Sequence, residues 1–348
     1  MIVITNINIC SNLNLRPQKI IIIMEKTTSI TQKKLDKAKW FYWAIIAFVI
    51  LLSTVFLALV NPLKSATYYY ISGPIHLTSS WKTNPNGTGT SPANFTTGGN
   101  LFIIWNSLGG AISPTLTANW TVAGTNTLQI GTSTGSASLT INGGVTLTMG
   151  GNTVLRVGAA STANTASVQL YISPNATLSI TSGATTPLRV YSNATLTIAS
   201  STFPLSNQVS LGTKSTVEWA QNTNVSIWGR TYQNMIISGT GIKDISTTPN
   251  TTTIINGKLI LNTSTLRMAN NTGATLRLNG TISGPGSILT SNSNLNISGT
   301  GVFGTISFAN GNTAQSIRNL TINRTGPGQI TLGTNLTVIG SVELFIGT

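Results

Sequence analysis

The chain has 348 residues with 19 Lys/Arg against 5 Asp/Glu, a net charge of +14, yet charged residues make up only 7% of it, where soluble domains average about 25%. The positive balance comes from missing acids. Arg156, Arg189, Lys214, Arg230, Lys243, Lys258, Arg267 and Arg277 are spaced singly, which argues against nucleic acid as a partner, and the lone Cys10 excludes an intrachain disulfide framework or a cysteine-built metal site.

In chain order, residues 1–39 come first, with seven Lys/Arg against Glu25 and Asp36, a basic cytoplasmic region. Met24 offers a second start, which makes residues 1–23 a candidate mis-start. Residues 40–60 carry no charge, and as a helix they span about 31 Å, the thickness of a bilayer core. Lys33, Lys34, Lys37 and Lys39 precede this segment and only Lys64 follows closely, so the N-terminus is expected in the cytoplasm and the rest outside. Two readings stand: a retained signal anchor, or a signal peptide cleaved near Leu63-Lys64-Ser65-Ala66. Either one makes the membrane a partner at least during export, and places the product on the cell surface or in the medium.

Residues 61–126 hold Trp81, Trp105 and Trp120, the run Leu101-Phe102-Ile103-Ile104, and turn signals at Asn84-Pro85-Asn86-Gly87 and Gly98-Gly99-Asn100. A stack of repeats must cover its first rung, so this segment is expected to form a cap and the first coils. The alternative use of Trp81, Trp105 and Trp120 is a platform for glycan contact.

Residues 127–348 repeat one triplet of apolar, polar and apolar residues. It runs through Leu128-Gln129-Ile130, Leu139-Thr140-Ile141, Leu147-Thr148-Met149, Leu155-Arg156-Val157, Leu178-Ser179-Ile180 and Leu188-Arg189-Val190. Leu196-Thr197-Ile198, Val209-Ser210-Leu211, Val217-Glu218-Trp219 and Val225-Ser226-Ile227 continue it. Each triplet predicts a short strand with two residues inward and one outward, and the Gly, Asn, Ser and Thr between triplets supply turns. An antiparallel sandwich or barrel shares the spacing. The pattern's persistence, with no two-residue hairpin signature between strands, favours the other option. The expected fold is all-β, a parallel β-helix or β-solenoid preceded by one N-terminal transmembrane or signal helix.

A longer repeat is also visible. Residues Asn234 to Gly241 resemble Asn319 to Gly326, and Ile255 to Leu261 resemble Val338 to Leu344, at offsets of 85 and 83 positions. A super-repeat of about 84 residues follows, and its second copy ends shortly after Leu344, so the solenoid is expected to be truncated.

The segments Trp81 to Thr96 and Asn119-Trp120-Thr121-Val122, together with Asn279 to Gly286 and Asn319 to Gly326, resemble repeat-rich, autotransporter-passenger-like surface proteins of Bacteroidota, many exported with a C-terminal sorting domain. The resemblance covers most of residues 70–348 and rests on compositional motifs. It implies a β-helical, surface-displayed or secreted protein of adhesive or structural use. It carries over no catalytic residues, and no sorting domain is present in this sequence.

Reactive chemistry is sparse. Outside the N-terminal region the acids are Glu218, Asp244 and Glu343, on separate repeats, whereas glycoside hydrolysis uses paired carboxylates and calcium wants several oxygen ligands. His76 is the one histidine. The expectation is a non-enzyme with no catalytic residues, metal or cofactor: an exported adhesin or structural surface component whose partners are glycans or other surface proteins. The alternatives are a carbohydrate-binding module on the Trp-rich segment, and a glycosylated filament subunit. For the last, fourteen Asn-x-Ser/Thr sequons are candidate N-glycosylation sites: Asn86, Asn94, Asn119, Asn175, Asn193, Asn224, Asn250, Asn262, Asn270, Asn279, Asn296, Asn319, Asn323 and Asn335.

Overall fold

The computed structural model describes residues 42–51, 65–106, 109–160, 165–245, 251–268, 273–290, 292–310, 315–325 and 329–346. The chain divides into two units, Met1–Pro62 and Leu63–Thr348. Of the first, residues 42–51 are described and form a helix. Trp43, Phe48, Val49, Ile50 and Leu51 are exposed on it. No described helix is long and apolar enough to cross a membrane. The remainder of the apolar segment predicted at 40–60, and the basic region before it, lie outside the described residues.

The second unit is all-β, and its strands form repeated parallel sheets of the kind that fits a β-helix or solenoid-like architecture. Strands Leu101–Ile104, Thr115–Leu116 and Trp120–Val122 lie in a first, second and third sheet. The chain then visits the three in the same order with Thr127–Ile130, Ala137–Ile141 and Thr146–Met149, and again with Val154–Val157, Val168–Ile172 and Thr177–Ile180. Leu188–Val190 and Val209–Leu211 extend the first sheet, and Ala194–Ile198 extends the second. From Thr216–Trp219 onward the second sheet continues beside two new ones. A fourth sheet begins at Val225–Ile227 and a fifth at Thr231–Tyr232, and each turn of chain adds one strand to each as far as Asn294–Thr300. Beyond it Leu320–Thr325 and Val342–Ile346 extend the fifth, while Gly304–Ile306 pairs with Ile330–Leu332 and Ser316–Ile317 with Thr337–Val338 as two further two-stranded sheets.

Every ladder between described strands is parallel except one. Thr67–Tyr70 pairs in parallel with Leu101–Ile104 on one edge, and antiparallel with Trp81–Lys82 on the other. The chain thus folds back over its first rung, as a stack with an exposed edge requires. The stack starts at Thr67, and Leu101–Ile104 pairs directly with Thr127–Ile130.

All ten predicted triplets fall within strands. Their apolar members point inward and form columns from coil to coil. In the second sheet one column runs Leu139, Leu170, Leu196, Val217, Met235, Leu259 and Ile282, all buried. Burying each such side chain contributes about 1.5–3 kcal/mol, which offsets the ordering of the short strand that carries it. The intervening residues face outward and stack too, as in Thr121–Thr148–Ser179 and Thr195–Thr216–Asn234.

The long repeat behaves differently from the triplets. Asn234–Ile237 and Lys258–Leu261 are neighbours in the second sheet, whereas their counterparts Leu320–Thr325 and Val342–Ile346 are neighbours in the fifth. An offset of about 84 residues is not a whole number of coils, so the second copy lands two faces further round, one short of completing a turn. What both copies keep is a local bond. Asn234 Oδ1 accepts the Lys258 N–H at 2.9 Å, and Asn319 Oδ1 accepts the Ser341 N–H at 2.9 Å, each joining one coil to the next.

Among the described residues Lys243 is a charged exception to the inward apolar rule. It begins strand Lys243–Ile245, pairs in register with Val225 and Leu266, and is fully buried. Its Nζ donates to the carbonyl oxygens of Gln221 at 2.8 Å and Gly241 at 2.7 Å, so it serves two corner carbonyls from inside the core. Burial disfavours the ammonium and lowers its pKa to about 8. Below that pH the group is protonated in both the folded and unfolded states and stability is insensitive to it. Between about 8 and its unperturbed value of 10.5 the unfolded chain binds the extra proton, so stability rises with pH. Melting curves at pH 7 and pH 10 are expected to show that rise in the wild type and to lack that component in Lys243→Met. Identical pH dependence in the two proteins would count against a buried, shifted amine.

Candidate functional site: the outward polar rows

The three candidate tryptophans part company in the structure. Trp81 is 0% exposed and donates from Nε1 to the Ile75 carbonyl at 2.8 Å. Trp120 is 4% exposed. Both belong to an aromatic cluster with Tyr70, Phe95 and Phe102, with the Trp81 ring 5.9 Å from Trp120, 5.7 Å from Tyr70 and 5.5 Å from Phe102. Neither offers a free ring face to a sugar; they fill the first coils, the cap-and-core use expected of them. Trp105, just past Leu101–Ile104, stays partly exposed, with its ring 6.0 Å from that of Tyr69.

The acids are each engaged on a different sheet. Glu218, outward on the second, accepts from Thr197 Oγ1 at 3.0 Å and Ser238 Oγ at 2.8 Å, which lie on the preceding coil and just beyond the next coil's strand. Gln169 Nε2 donates to Thr197 Oγ1 at 2.9 Å and lengthens this polar row by another coil. Asp244, on the fourth sheet, pairs in register with Arg267, whose Nε lies 3.1 Å from Oδ1. Glu343 lies on the fifth, opposite Thr321. Among the described residues no three of His, Cys, Asp and Glu group as metal ligands. His76 is partly buried, and its Nδ1 has no hydrogen-bond partner.

Most cations are also committed. Arg230 donates from Nη1 to the Ser206 and Val209 carbonyls and lies over the Trp228 ring at 5.7 Å; burial lowers its pKa. Arg324 donates to the carbonyls of Gly280, Ser298, Thr300 and Gly301, with Phe303 beneath it at 5.3 Å. These two clamp successive coils together.

The first sheet is different. Its ladders run Tyr69–Ile103–Gln129–Arg156–Arg189–Ser210 at one outward position, with Lys82 beyond Tyr69. Arg156 and Arg189, widely spaced in sequence, are therefore direct cross-strand neighbours, about 4.8 Å apart at the backbone. Gln129 donates to the Gly131 carbonyl, and Arg189 Nε to the Thr186 carbonyl at 3.2 Å. Arg156 Nε is buried with no hydrogen-bond partner. None of the three acids lies on this sheet. Reading the arginines singly missed the pair, because only the register shows which coils meet.

No protein-family model, curated protein or solved structure matches the chain. The outward rows must be interpreted on their own chemistry.

Twelve of the fourteen sequons are described, and none of their asparagines is buried; Asn250 and Asn270 lie outside the described residues. Part of the spacing has a structural use. Asn86 Oδ1 accepts the Thr88 N–H at 3.1 Å and its hydroxyl at 2.7 Å, and Asn94 Oδ1 accepts the Thr96 N–H at 2.9 Å. An Asn that closes a turn onto the residue two places on needs the Asn-x-Thr arrangement whether or not a glycan is attached. Asn175 and Asn193 sit at corners with φ of 62° and 60°, a conformation Asn tolerates better than most residues.

Proposed function

We propose that this chain is an exported, non-enzymatic parallel β-solenoid that works as an adhesin or structural component of a cell surface. The carrying observation is the succession of parallel rungs among the described strands between Thr67 and Ile346, with neutral hydroxyl and amide side chains on most outward positions. Such a stack is a rigid spacer with long ladders for contact. The apolar segment at 40–60, with lysines on one flank, supports export, and the chain's resemblance to passenger-like surface proteins agrees with display. The engaged states of Glu218 and Asp244 support a holding role for the acids over a catalytic one. Labelling intact cells of the native source with an antibody raised against the full-length chain tests the reading. Surface label without lysis is expected; label that appears only after lysis would refute display.

A further inference from the structure

We propose that the outward face of the first sheet, centred on Arg156 and Arg189, binds an acidic polysaccharide. The inference rests on the surface reading above and names the ligand class of its outward rows. Two like charges directly opposed across a ladder destabilise a sheet, and here no described acid on the same sheet relieves them. The other cations with stated roles are spent elsewhere: Arg230 and Arg324 on carbonyls, Arg267 on Asp244, Lys243 in the core. Arg189 uses its Nε on the Thr186 carbonyl, which braces the stem and leaves the end of the fork. Arg156 keeps a buried Nε donor without an acceptor. A carboxylate or sulfate accepts two parallel bonds from the outer Nη edge of such a fork, and one anion seated between two guanidiniums at rung spacing supplies the missing charge.

Sugar is favoured over other polyanions by what shares the face. Tyr69 stands three rungs along the same row, and Trp105, partly exposed, packs beside it. An aromatic surface three rungs from an arginine pair, across the buried Ile103 and Gln129, suits an extended chain of pyranose rings bearing acidic groups. A nucleic acid calls for a broader basic patch.

The test uses the purified full-length chain with polygalacturonate, neutral dextran and duplex DNA as probes, measured by calorimetry or retention. Polygalacturonate is expected to bind, with affinity falling as salt rises, and dextran is not. The double variant Arg156→Gln/Arg189→Gln is expected to weaken binding by about tenfold or more, the scale of lost charge-assisted bonds. Arg156→Lys/Arg189→Lys keeps the charge but loses the fork and is expected to fall between the two. Lys258→Gln/Arg277→Gln removes the same charge from other sheets and is expected to change affinity less than about twofold. Melting temperatures matching the wild type exclude misfolding as the cause. Absence of polygalacturonate binding, equal losses in the two neutralised variants, or tighter binding of DNA with the same sensitivity to Arg156 and Arg189 would each overturn the proposal. Intact-cell labelling reports separately on display, so a protein that binds the polymer but is not on the surface fails the first reading alone, and a displayed protein that ignores the polymer fails the second alone.

Discussion

Trp81→Ala is expected to destabilise the second unit by about 3–5 kcal/mol, the usual cost of removing a fully buried tryptophan. The ring is the hub of the first coils. Tyr70, Phe95, Phe102 and Trp120 surround it, and Phe95 and Trp120 also touch each other at 5.1 Å. Its Nε1 bond to the Ile75 carbonyl fastens the segment that folds back over the first rung. Truncation therefore opens a cavity and leaves a buried carbonyl without its donor. A folded domain has about 5–15 kcal/mol in hand, so the loss is expected as a melting temperature lower by many degrees, a reduced near-UV aromatic signal and early proteolysis within residues 65–100. Trp105→Ala, at a partly exposed ring, is expected to cost less than half as much. If the Trp81 variant melted with the wild type while losing sugar binding, the tryptophan would be a ligand platform after all, and the packing account given above would be wrong.

The separation of Trp81 from Trp105 shows which features can be read along a chain and which cannot. Inward triplets such as Leu139-Thr140-Ile141 are legible because alternation is local: one residue to the core, one to solvent, one to the core. Parallel pairing was also inferable, from persistence without hairpin turns. Coil length is not local. Leu128 pairs with Leu155, but Leu155 pairs with Leu188, because more residues separate Val157 from Val168 and Ile180 from Leu188 than separate the corresponding strands one coil earlier. Which outward residues become neighbours depends on that spacing. Arg156 and Arg189 therefore looked isolated, and nothing in the repeat of about 84 residues told which faces its two copies would occupy. Lys243 was illegible for another reason. Period two from Ile245 points it inward, its charge argues outward, and only the two carbonyls waiting at Gln221 and Gly241 decide the matter. The acids were easier. Glu218 was expected to face outward and does so, but its partners Thr197 and Ser238 lie on coils that only the register brings beside it.

Gly299→Ala is expected to be strongly disruptive in the later coils. Its φ of +89° is one that side-chain-bearing residues rarely adopt, and a Cβ there falls 1.9 Å from the Asn279 carbonyl oxygen of the preceding coil. That oxygen is backbone and cannot swing away as a side-chain end would. Overpacking costs roughly 1–3 kcal/mol, and the left-handed conformation costs an L-residue about 1–2 kcal/mol more. The corner is also where Arg324 gathers the Ser298, Thr300 and Gly301 carbonyls, so a shifted backbone dismantles that clamp too. In a stack where each coil touches only its neighbours, damage stays local before it spreads. Hydrogen exchange is therefore expected to lose protection in Asn294–Thr300, Leu320–Thr325 and Val342–Ile346, while Leu128, Leu155 and the rest of the first sheet exchange as in the wild type. Uniform loss across all sheets would mean that the solenoid unfolds as one cooperative unit, and unchanged exchange would mean that the corner relaxes without cost. Arg324→Lys provides the second arm: it keeps the charge, cannot span the same carbonyls, and is expected to loosen the same three strands to a smaller degree.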